Sequence, residues 1–417
     1  MHLSVTHAVL IWIIALAGIL LMLLRPRHIR EAVWICSAAI LLTITRLIPF
    51  RVAIAAVGKG TNVYLFLTGM MLLAELARHE GVFDWIADHA VSRSRGSASR
   101  LFLLIYLTGV AVTALLSNDA TAVVLTPAVL AAVRRARVDP KPYLLACALV
   151  ANAASFLLPI SNPANLVVYG HHMPHLGSWL RIFLLPSVVA IAATYFCLLA
   201  LSRKPLASQV HCPQQQAELS PSGRLAFAGL IFAAIVLLTC SALGISLGIP
   251  TCAAALAALV LVSFKDSGIY KAAAREVSWS ILPLVAGLFV LVESLNRAGM
   301  LHVLESSLRW LTHQPALAAN LAASGGAALL SNAMNNLPVA LAAGSALPLT
   351  PRLTHAVLIG VNLGPNLSVT GSLATILWLM ALRRENIPLT RKQFFKTGLI
   401  VMPVALVLSV LTLWLVA

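Results

Sequence analysis

Charged residues are scarce in this chain of 417 residues, of which 10% are Asp, Glu, Lys or Arg and 60% are hydrophobic. A soluble protein of this length needs more polar surface than that composition supplies. Together with a mean hydropathy of +0.93, this shortage excludes a soluble globular protein. It predicts an all-α polytopic protein of the lipid bilayer.

Acidic residues are scarcer still, at 13 against 29 Lys and Arg. The basic residues form short clusters between apolar runs, so nucleic-acid binding is not predicted. Six cysteines occur without a Cys-x-x-Cys pair, which excludes a disulfide framework; a tris-thiolate site could arise only from separated helices. No Gly-x-x-x-x-Gly-Lys-Ser/Thr loop is present, so the chain itself is not expected to hydrolyse ATP. No cofactor or metal site is predicted.

Long apolar runs are what the chain does contain, and several can cross roughly 30 Å of hydrocarbon. Two longer stretches, 99–133 and 316–349, carry a polar break at their centre and are predicted to fold back as re-entrant hairpins. The stretches 142–169 and 353–381 contain Pro and Asn in the middle and are predicted to be spans with unwound centres near the midplane. The uninterrupted spans are predicted at 5–24, 32–50, 61–77, 178–202, 224–243, 246–264, 279–296 and 397–416.

Lys and Arg are unevenly distributed between the two sides of this layout. Loops on one side hold 22 of the 29 basic residues, which predicts that this side faces the cytoplasm. Both termini then lie outside, the first hairpin opens inward and the second opens outward. The segments 1–203 and 224–417 are therefore predicted to be inverted repeats of five spans and one hairpin each, joined by a cytoplasmic linker at 204–223.

Matching residues support this duplication independently of hydropathy. Glu75 and Glu293 occupy equivalent positions near the ends of their spans, where we predict a gating or structural role in preference to direct coupling. The amphipathic segments 82–91 and 300–311 follow them and are suited to lie at the membrane surface. The residues that match at an offset of 218 are Gly69, Glu75 and Gly81 in the first half and Gly287, Glu293 and Gly299 in the second.

Asp119 is the only acid within the predicted hairpins and unwound spans. An ionisable group at membrane depth is costly and is by default a functional hypothesis. We therefore expect Asp119 to carry the proton that couples transport. The alternative is a structural acid that accepts backbone N–H bonds at a broken helix end.

Asparagine is concentrated in the same breaks, which hold nine of the thirteen in the chain. Amides and hydroxyls that converge can hold a small neutral solute without adding charge. Arginine is absent from these breaks, which argues against a carboxylate or phosphate substrate. For any single Asn, the alternative is that it satisfies unwound backbone. The predicted substrate-binding residues are Ser117, Asn118, Thr121, Asn152, Ser161, Asn162, Asn165, Ser331, Asn332, Asn335, Asn336, Asn362, Asn366 and Ser368.

Four motifs at these breaks carry a resemblance to a known family. The motifs are Ser117–Asp119 with Leu125–Pro127, Ile160–Asn162 with Asn165, Ser331–Pro338, and Asn362–Trp378 followed by Phe394–Gly398. They resemble the arsenite efflux permeases of the arsenical resistance system, which belong to the ion transporter superfamily. The last motif is the most specific of the four, because polar hairpin tips are shared across the whole superfamily.

The resemblance implies secondary active efflux of trivalent arsenite and antimonite across the inner membrane, coupled to proton influx by alternating access. In some systems it also implies a soluble arsenical pump ATPase as partner. The oligomeric state stays open, with a homodimer as one option. The rival functions are a sodium/proton antiporter, an anion carrier of the dicarboxylate type and a passive channel. An embedded enzyme would need a catalytic constellation at membrane depth, which the sequence does not contain.

Overall fold

The computed structural model describes residues 5–211, 218–266, 268–346 and 351–416, and the regular elements in these ranges are all helical. In the first half, the helices are α1 Val5–Leu24, α2 Glu31–Ile44, α3 Phe50–Lys59, α4 Thr61–His79, α5 Val82–Arg93, α6 Ala98–Leu115, α7 Asn118–Ala120, α8 Thr126–Arg135, α9 Lys141–Ala153, α10 Pro163–Tyr169 and α11 Leu176–Leu201. A single π-helical turn at Thr121–Leu125 joins α7 to α8.

The second half repeats this order. Its helices are α12 Pro221–Ala242, α13 Gly248–Ser263, α14 Ile269–Glu276, α15 Ile281–Arg297, α16 Met300–Thr312, α17 Ala316–Met334, α18 Asn336–Ala346, α19 Pro351–Leu363, α20 Leu373–Arg384 and α21 Arg391–Val416. Each half thus ends in a helix pair with a break, a second broken pair and one long helix. This recurrence confirms the predicted fold class, a polytopic helical protein built from two repeats with broken helices.

Within the described ranges, five helices are long and apolar enough to cross a bilayer on their own, namely α1, α6, α11, α12 and α21. Helices α3 and α4 meet the same criterion as a pair bent by 49°, and α15 and α16 do so with a bend of 74°. The sharp bend after α15 agrees with the predicted surface position of α16. The orientation of each half in the membrane stays a prediction.

Two boundaries differ from the sequence prediction. The span predicted at 32–50 ends at Ile44, and the chain turns through Arg46, whose φ is 56°, before Pro49 leads into α3. The loop expected at 265–275 contains most of α14, which is amphipathic. Both α3 and α14 are shorter than an apolar run of spanning length, so a search for such runs does not detect them.

The linker predicted at 204–223 packs in part against the first hairpin. The Ser99 hydroxyl donates to the carbonyl of Leu206 at 3.0 Å, and the N–H of Val210 donates to the carbonyl of Gly96 at 2.9 Å. An isolated bridge pairs Ser97 with Gln209. Residues 212–217 of the linker and 347–349 of the predicted second hairpin lie outside the described residues.

Packing between the halves determines where the breaks meet. Helix α10 of the first half packs against α18 of the second, and α20 of the second half packs against α7, α8 and the π turn between them. Helix α17 packs along α19, and α11 packs along α21. Each broken span therefore contacts the predicted hairpin of the opposite half, which brings the polar breaks to the centre of the molecule.

Candidate functional site

The break in the first hairpin separates α6 from α7 at Ser117, whose backbone is extended. The Ser117 hydroxyl accepts a hydrogen bond from the N–H of Ala120 at 3.2 Å and so caps the second arm. Asp119 lies in the first turn of that arm, where the peptide dipoles favour a negative charge. The hydroxyls of Thr113 and Thr121 are 2.7 Å apart and join the two arms.

The break in the second hairpin lies at Asn335, between α17 and α18. Its φ of 77° and ψ of 151° lie in a region that residues other than Gly rarely adopt. Its side chain fixes the turn, because Oδ1 accepts from the N–H of Leu337 at 3.3 Å and Nδ2 donates to the carbonyl of Thr370 at 3.4 Å. Strain of this kind persists only where the surrounding structure enforces it, and it is common at functional sites.

The unwound centres of the two broken spans are joined by a network of amides. Asn152 Nδ2 donates to Asn366 Oδ1 at 2.9 Å, and Asn362 Nδ2 donates to Asn165 Oδ1 at 3.0 Å. Asn362 Oδ1 in turn accepts from Asn162 Nδ2 at 2.8 Å. All five side chains are buried. These bonds use much of the amides' capacity, so Asn152, Asn165, Asn362 and Asn366 hold the breaks in place.

A second network surrounds Asn332. Its Nδ2 donates to the carbonyls of Ala328 and Gly364, each at 2.8 Å, and its Oδ1 accepts from the Ser368 hydroxyl at 2.6 Å. The neighbouring Ser331 hydroxyl donates within its own helix to the carbonyl of Ala327 at 2.8 Å. These contacts link α17 to the unwound segment after α19.

Four of the predicted substrate-binding residues line a cavity of about 40 Å³ between the halves, which we call the amide cavity. Asn118 and Asn162 come from the first half, and Asn335 and Asn336 from the second. Buried Asn118 Oδ1 has no hydrogen-bond partner in the described structure. The other polar or acidic residues of its lining are Asp119, Glu31 and Ser372.

Asp119 also lines a second cavity, of about 80 Å³, which we call the acidic cavity. Asp119, Glu75 and Glu276 all line it, together with Ser117, Ser278 and apolar side chains. Arg78 bridges two of these acids: it donates to both carboxylate oxygens of Glu75, at 2.6 and 3.0 Å, and also forms an ion pair with Glu276. Asp119 thus lines both a cavity that contains four amide side chains and one that is flanked by an ion-pair cluster.

The remaining predicted residues lie outside the linings of both cavities. Glu293 forms ion pairs with Lys59 at 2.9 Å and Arg297 at 3.5 Å. The Ser161 hydroxyl donates to the carbonyl of Ala114 at 3.1 Å and so ties the first broken span to α6. The candidate binding residues outside the two linings are Thr121, Asn152, Ser161, Asn165, Ser331, Asn332, Asn362, Asn366 and Ser368.

Four polar residues of the two cavities were not predicted from the sequence, and one of them, Ser278, lies between α14 and α15. Glu31 begins α2, Glu276 ends α14 and Ser372 caps α20 by accepting from the N–H of Thr375 at 3.2 Å. Both acids lie in or next to segments whose sequence is typical of charged loops. Ser372 does follow the pattern of a helix-capping serine before an apolar run, which could have indicated it.

One group in the described structure has the spacing of a metal site. Ligand atoms of His79, Glu80 and Asp266 lie within 4.8 Å of one another. Asp266 already accepts from the N–H of Gly268 at 2.8 Å and pairs with His79 at 3.0 Å. The hydrogen bond from Gly268, and then the one from His79, lower the pKa of the Asp266 carboxyl. The group is explained by this ion pair at the ends of α4 and α13.

Comparison with known proteins places this architecture in a family. The family model described as "Citrate transporter" matches residues 1–382. An arsenical pump membrane protein of Yersinia enterocolitica is 30% identical over 347 residues, with 79% of this chain and 81% of that protein covered. One from Escherichia coli is 29% identical over 346 residues at the same coverage.

Similarity to a solved structure supports the fold. The YdaH transporter of Alcanivorax borkumensis superposes with a TM-score of 0.59 at 14% identity, covering 88% of this chain and 87% of that one. The two chains therefore share most of their fold. On the sequence matches and this shared architecture, the chain belongs to the citrate transporter family of membrane transporters and, within it, groups with the arsenical pump membrane proteins.

Proposed function

We propose that this protein exports trivalent arsenite from the cytoplasm across the inner membrane, in exchange for protons. The observation that carries the proposal is the amide cavity, where Asn118, Asn162, Asn335 and Asn336 from both halves converge next to Asp119. Its described lining includes no Lys or Arg. Relatives that are about 30% identical are named arsenical pump membrane proteins, which supports an arsenic compound as substrate.

The chemistry of the amide cavity fits arsenous acid, which is neutral near pH 7 and carries three hydroxyl groups. Amide oxygens can accept from those hydroxyls and amide nitrogens can donate to them. A cavity of about 40 Å³ has room for roughly three or four waters, at about 10–15 Å³ each, a volume similar to that of one arsenic atom with three oxygens. Antimonous acid has the same valence and hydroxyl count, so antimonite is a second substrate of this proposal.

Asp119 is the proposed carrier of the coupling proton, because it lines both cavities. A proton on Asp119 can exchange toward the acidic cavity, while substrate occupies the amide cavity. One charge that moves with the membrane potential gains about 2.3 kcal/mol per 100 mV, enough for appreciable outward accumulation. Glu75 is proposed as a gating or structural residue, because Arg78 occupies both oxygens of its carboxylate; Glu293 is proposed in the same role at the equivalent position.

Alternating access follows from the duplicated architecture. The broken spans α9–α10 and α19–α20 are joined by hydrogen bonds between Asn side chains, and they pack against the hairpins. These elements can therefore move as one unit against the other helices. The predicted sidedness, with both termini outside, makes the two halves inverted repeats. A soluble pump ATPase and a second copy of the chain are proposed as partners on the resemblance alone.

Arsenite uptake into everted membrane vesicles tests this function. Uptake that requires an imposed pH gradient and collapses with an uncoupler is the expected result. Uptake that is insensitive to the gradient would contradict proton coupling. If arsenite is not taken up even when a soluble pump ATPase is added, while sodium or a dicarboxylate is transported, the proposed substrate is wrong.

A further inference from the structure

A third cavity, of about 150 Å³, lies where the end of α1 meets α20, and we call it the arginine cavity. Four arginines contribute to its lining: Arg25, Arg30, Arg383 and Arg391. Thr370 adds a hydroxyl, and the other walls are apolar side chains of α1, α20 and the turn before α20. The cavity is thus bounded by cationic groups from the connection between α1 and α2 and from the facing ends of α20 and α21, and by an apolar surface.

The positive charge of this cavity is only partly compensated. Glu31 forms an ion pair with Arg25. Among the ion pairs between described residues, none involves Arg30, Arg383 or Arg391. Burial, and then the charge of Arg391, lower the pKa of Arg25 to about 10. Guanidinium groups this close repel one another, and an anion among them would turn that repulsion into attraction.

We propose that the arginine cavity binds a phosphate group, presented either by an anionic phospholipid or as free phosphate. The guanidinium fork matches phosphate oxygens in pairs, which makes Arg the preferred residue for this group. Basic pockets between helices on the cytoplasmic side of membrane proteins bind lipid head groups. The predicted sidedness puts Arg25 and Arg391 on that side, and the apolar walls can accommodate the glycerol and upper acyl carbons of a lipid.

Phosphate bound here would join parts of the protein that flank the amide cavity. Glu31, the partner of Arg25, lines the amide cavity, and Ile376 of α20 lines both cavities. Helix α20 begins beside Ser372 in the amide cavity and ends at the arginines. A phosphate that bridges α1 and α20 therefore stabilises the conformation seen in the structure, whatever solute the amide cavity carries.

The test uses the full-length protein in nanodiscs and measures thermal unfolding at constant ionic strength. Three conditions are compared: phosphatidylcholine alone, the same lipid with inorganic phosphate added, and phosphatidylcholine mixed with phosphatidylglycerol. The cavity variant is Arg383→Gln/Arg391→Gln. Its matched control is Arg384→Gln/Lys392→Gln, which removes two positive charges at adjacent positions of the same helices but outside the lining.

We expect phosphate, phosphatidylglycerol or both to raise the unfolding temperature of the wild type and the control, and the cavity variant to lose that rise. A rise with phosphatidylglycerol alone identifies a lipid site, and a rise with inorganic phosphate identifies a free-anion site. An equal loss in variant and control, or no rise in any condition, would overturn the proposal.

A second variant keeps the test interpretable if the Gln variant does not fold. Arg383→Lys/Arg391→Lys keeps both charges but loses the paired donors of guanidinium. It is expected to fold and to need a higher phosphate or phosphatidylglycerol content for the same rise. A response equal to that of the wild type would show that only the positive charge matters. It would contradict a site that recognises phosphate through paired guanidinium hydrogen bonds. These measurements do not depend on arsenite transport, so the two proposals fail separately.

Discussion

Asn152 Nδ2 donates a hydrogen bond to Asn366 Oδ1 over 2.9 Å, across 214 residues of sequence and from one half of the protein to the other. Asn366 Nδ2 in turn donates to the carbonyl of Leu149 at 3.1 Å. Backbone groups released at a helix break must find partners, because hydrocarbon offers none. In this protein, the amides of one broken span supply partners to the other, so the two breaks depend on each other.

A double-mutant cycle on Asn152 and Asn366 measures this dependence. We expect Asn152→Ala and Asn366→Ala each to lower the free energy of unfolding by about 1–3 kcal/mol, since each leaves a buried polar partner unsatisfied. The double variant should lose less than the sum, by about 1 kcal/mol. Asn320 is the control partner, because its buried side chain has no hydrogen bond in the described structure. A cycle of Asn152 with Asn320 should be additive.

The breaks themselves could be predicted from the sequence, because polar residues and proline interrupt apolar runs only where backbone is protected from lipid. Ser117 and Asn335 lie at the predicted hairpin breaks. Which asparagine faces a cavity could not be predicted. An Asn side chain offers the same donors and acceptor whether it binds a solute or a backbone carbonyl, so the sequence does not distinguish the two. Asn118 and Asn362 look alike in sequence, yet the first has an unpartnered oxygen and the second makes bonds to three residues from the first half.

The two acids at helix ends that line the cavities could not be predicted from the sequence either. Glu31 and Glu276 lie in sequence segments rich in Lys and Arg, which are typical of solvent-exposed loops. Their place beside the cavities depends on tertiary packing, in which α2 contacts α1 and α15 and α14 contacts α4 and α13.

Cavity amides and network amides should respond differently to truncation. Asn118→Ala and Asn336→Ala are expected to raise the KM for arsenite about tenfold, equivalent to about 1.4 kcal/mol, with little change in unfolding temperature. Asn362→Ala should lower the free energy of unfolding by several kcal/mol, at about 1–3 kcal/mol for each partner left unpaired. Transport kinetics in vesicles and thermal unfolding of the same preparations distinguish the two classes. Equal destabilisation by Asn118→Ala and Asn362→Ala would contradict the assignment.

The approach of α19 to α17 gives a prediction that concerns packing alone. A Cβ atom at Gly360 would lie 2.8 Å from the carbonyl carbon of Ser324, so the helices would have to separate. Gly360→Ala should therefore cost about 1–3 kcal/mol of stability. Gly326→Ala, on the facing helix, is the control, since a Cβ there meets nothing within 4 Å. That variant should be neutral or slightly stabilising, and thermal unfolding of both tests the packing.

The role of Asp119 is the sharpest prediction for transport. One proton moving down a gradient of one pH unit supplies about 1.36 kcal/mol, which supports about tenfold accumulation. Asp119→Asn keeps the size of the side chain and, like the protonated acid, offers both an acceptor oxygen and a donor group, but it cannot release a proton. We expect this variant to lose gradient-driven accumulation in everted vesicles and to retain the unfolding temperature of the wild type.

Asp139→Asn is the matched control, because Asp139 is exposed in a loop and its carboxylate only accepts from the N–H of Lys141 at 3.1 Å. It should leave accumulation unchanged. If Asp119→Asn still concentrates arsenite against a gradient, Asp119 is structural and the proton must use another acid. Glu75 and Glu276 would then be the next candidates, because they line the same cavity. Facilitated equilibration without accumulation would instead show that the solute pathway survives and that coupling alone depends on Asp119.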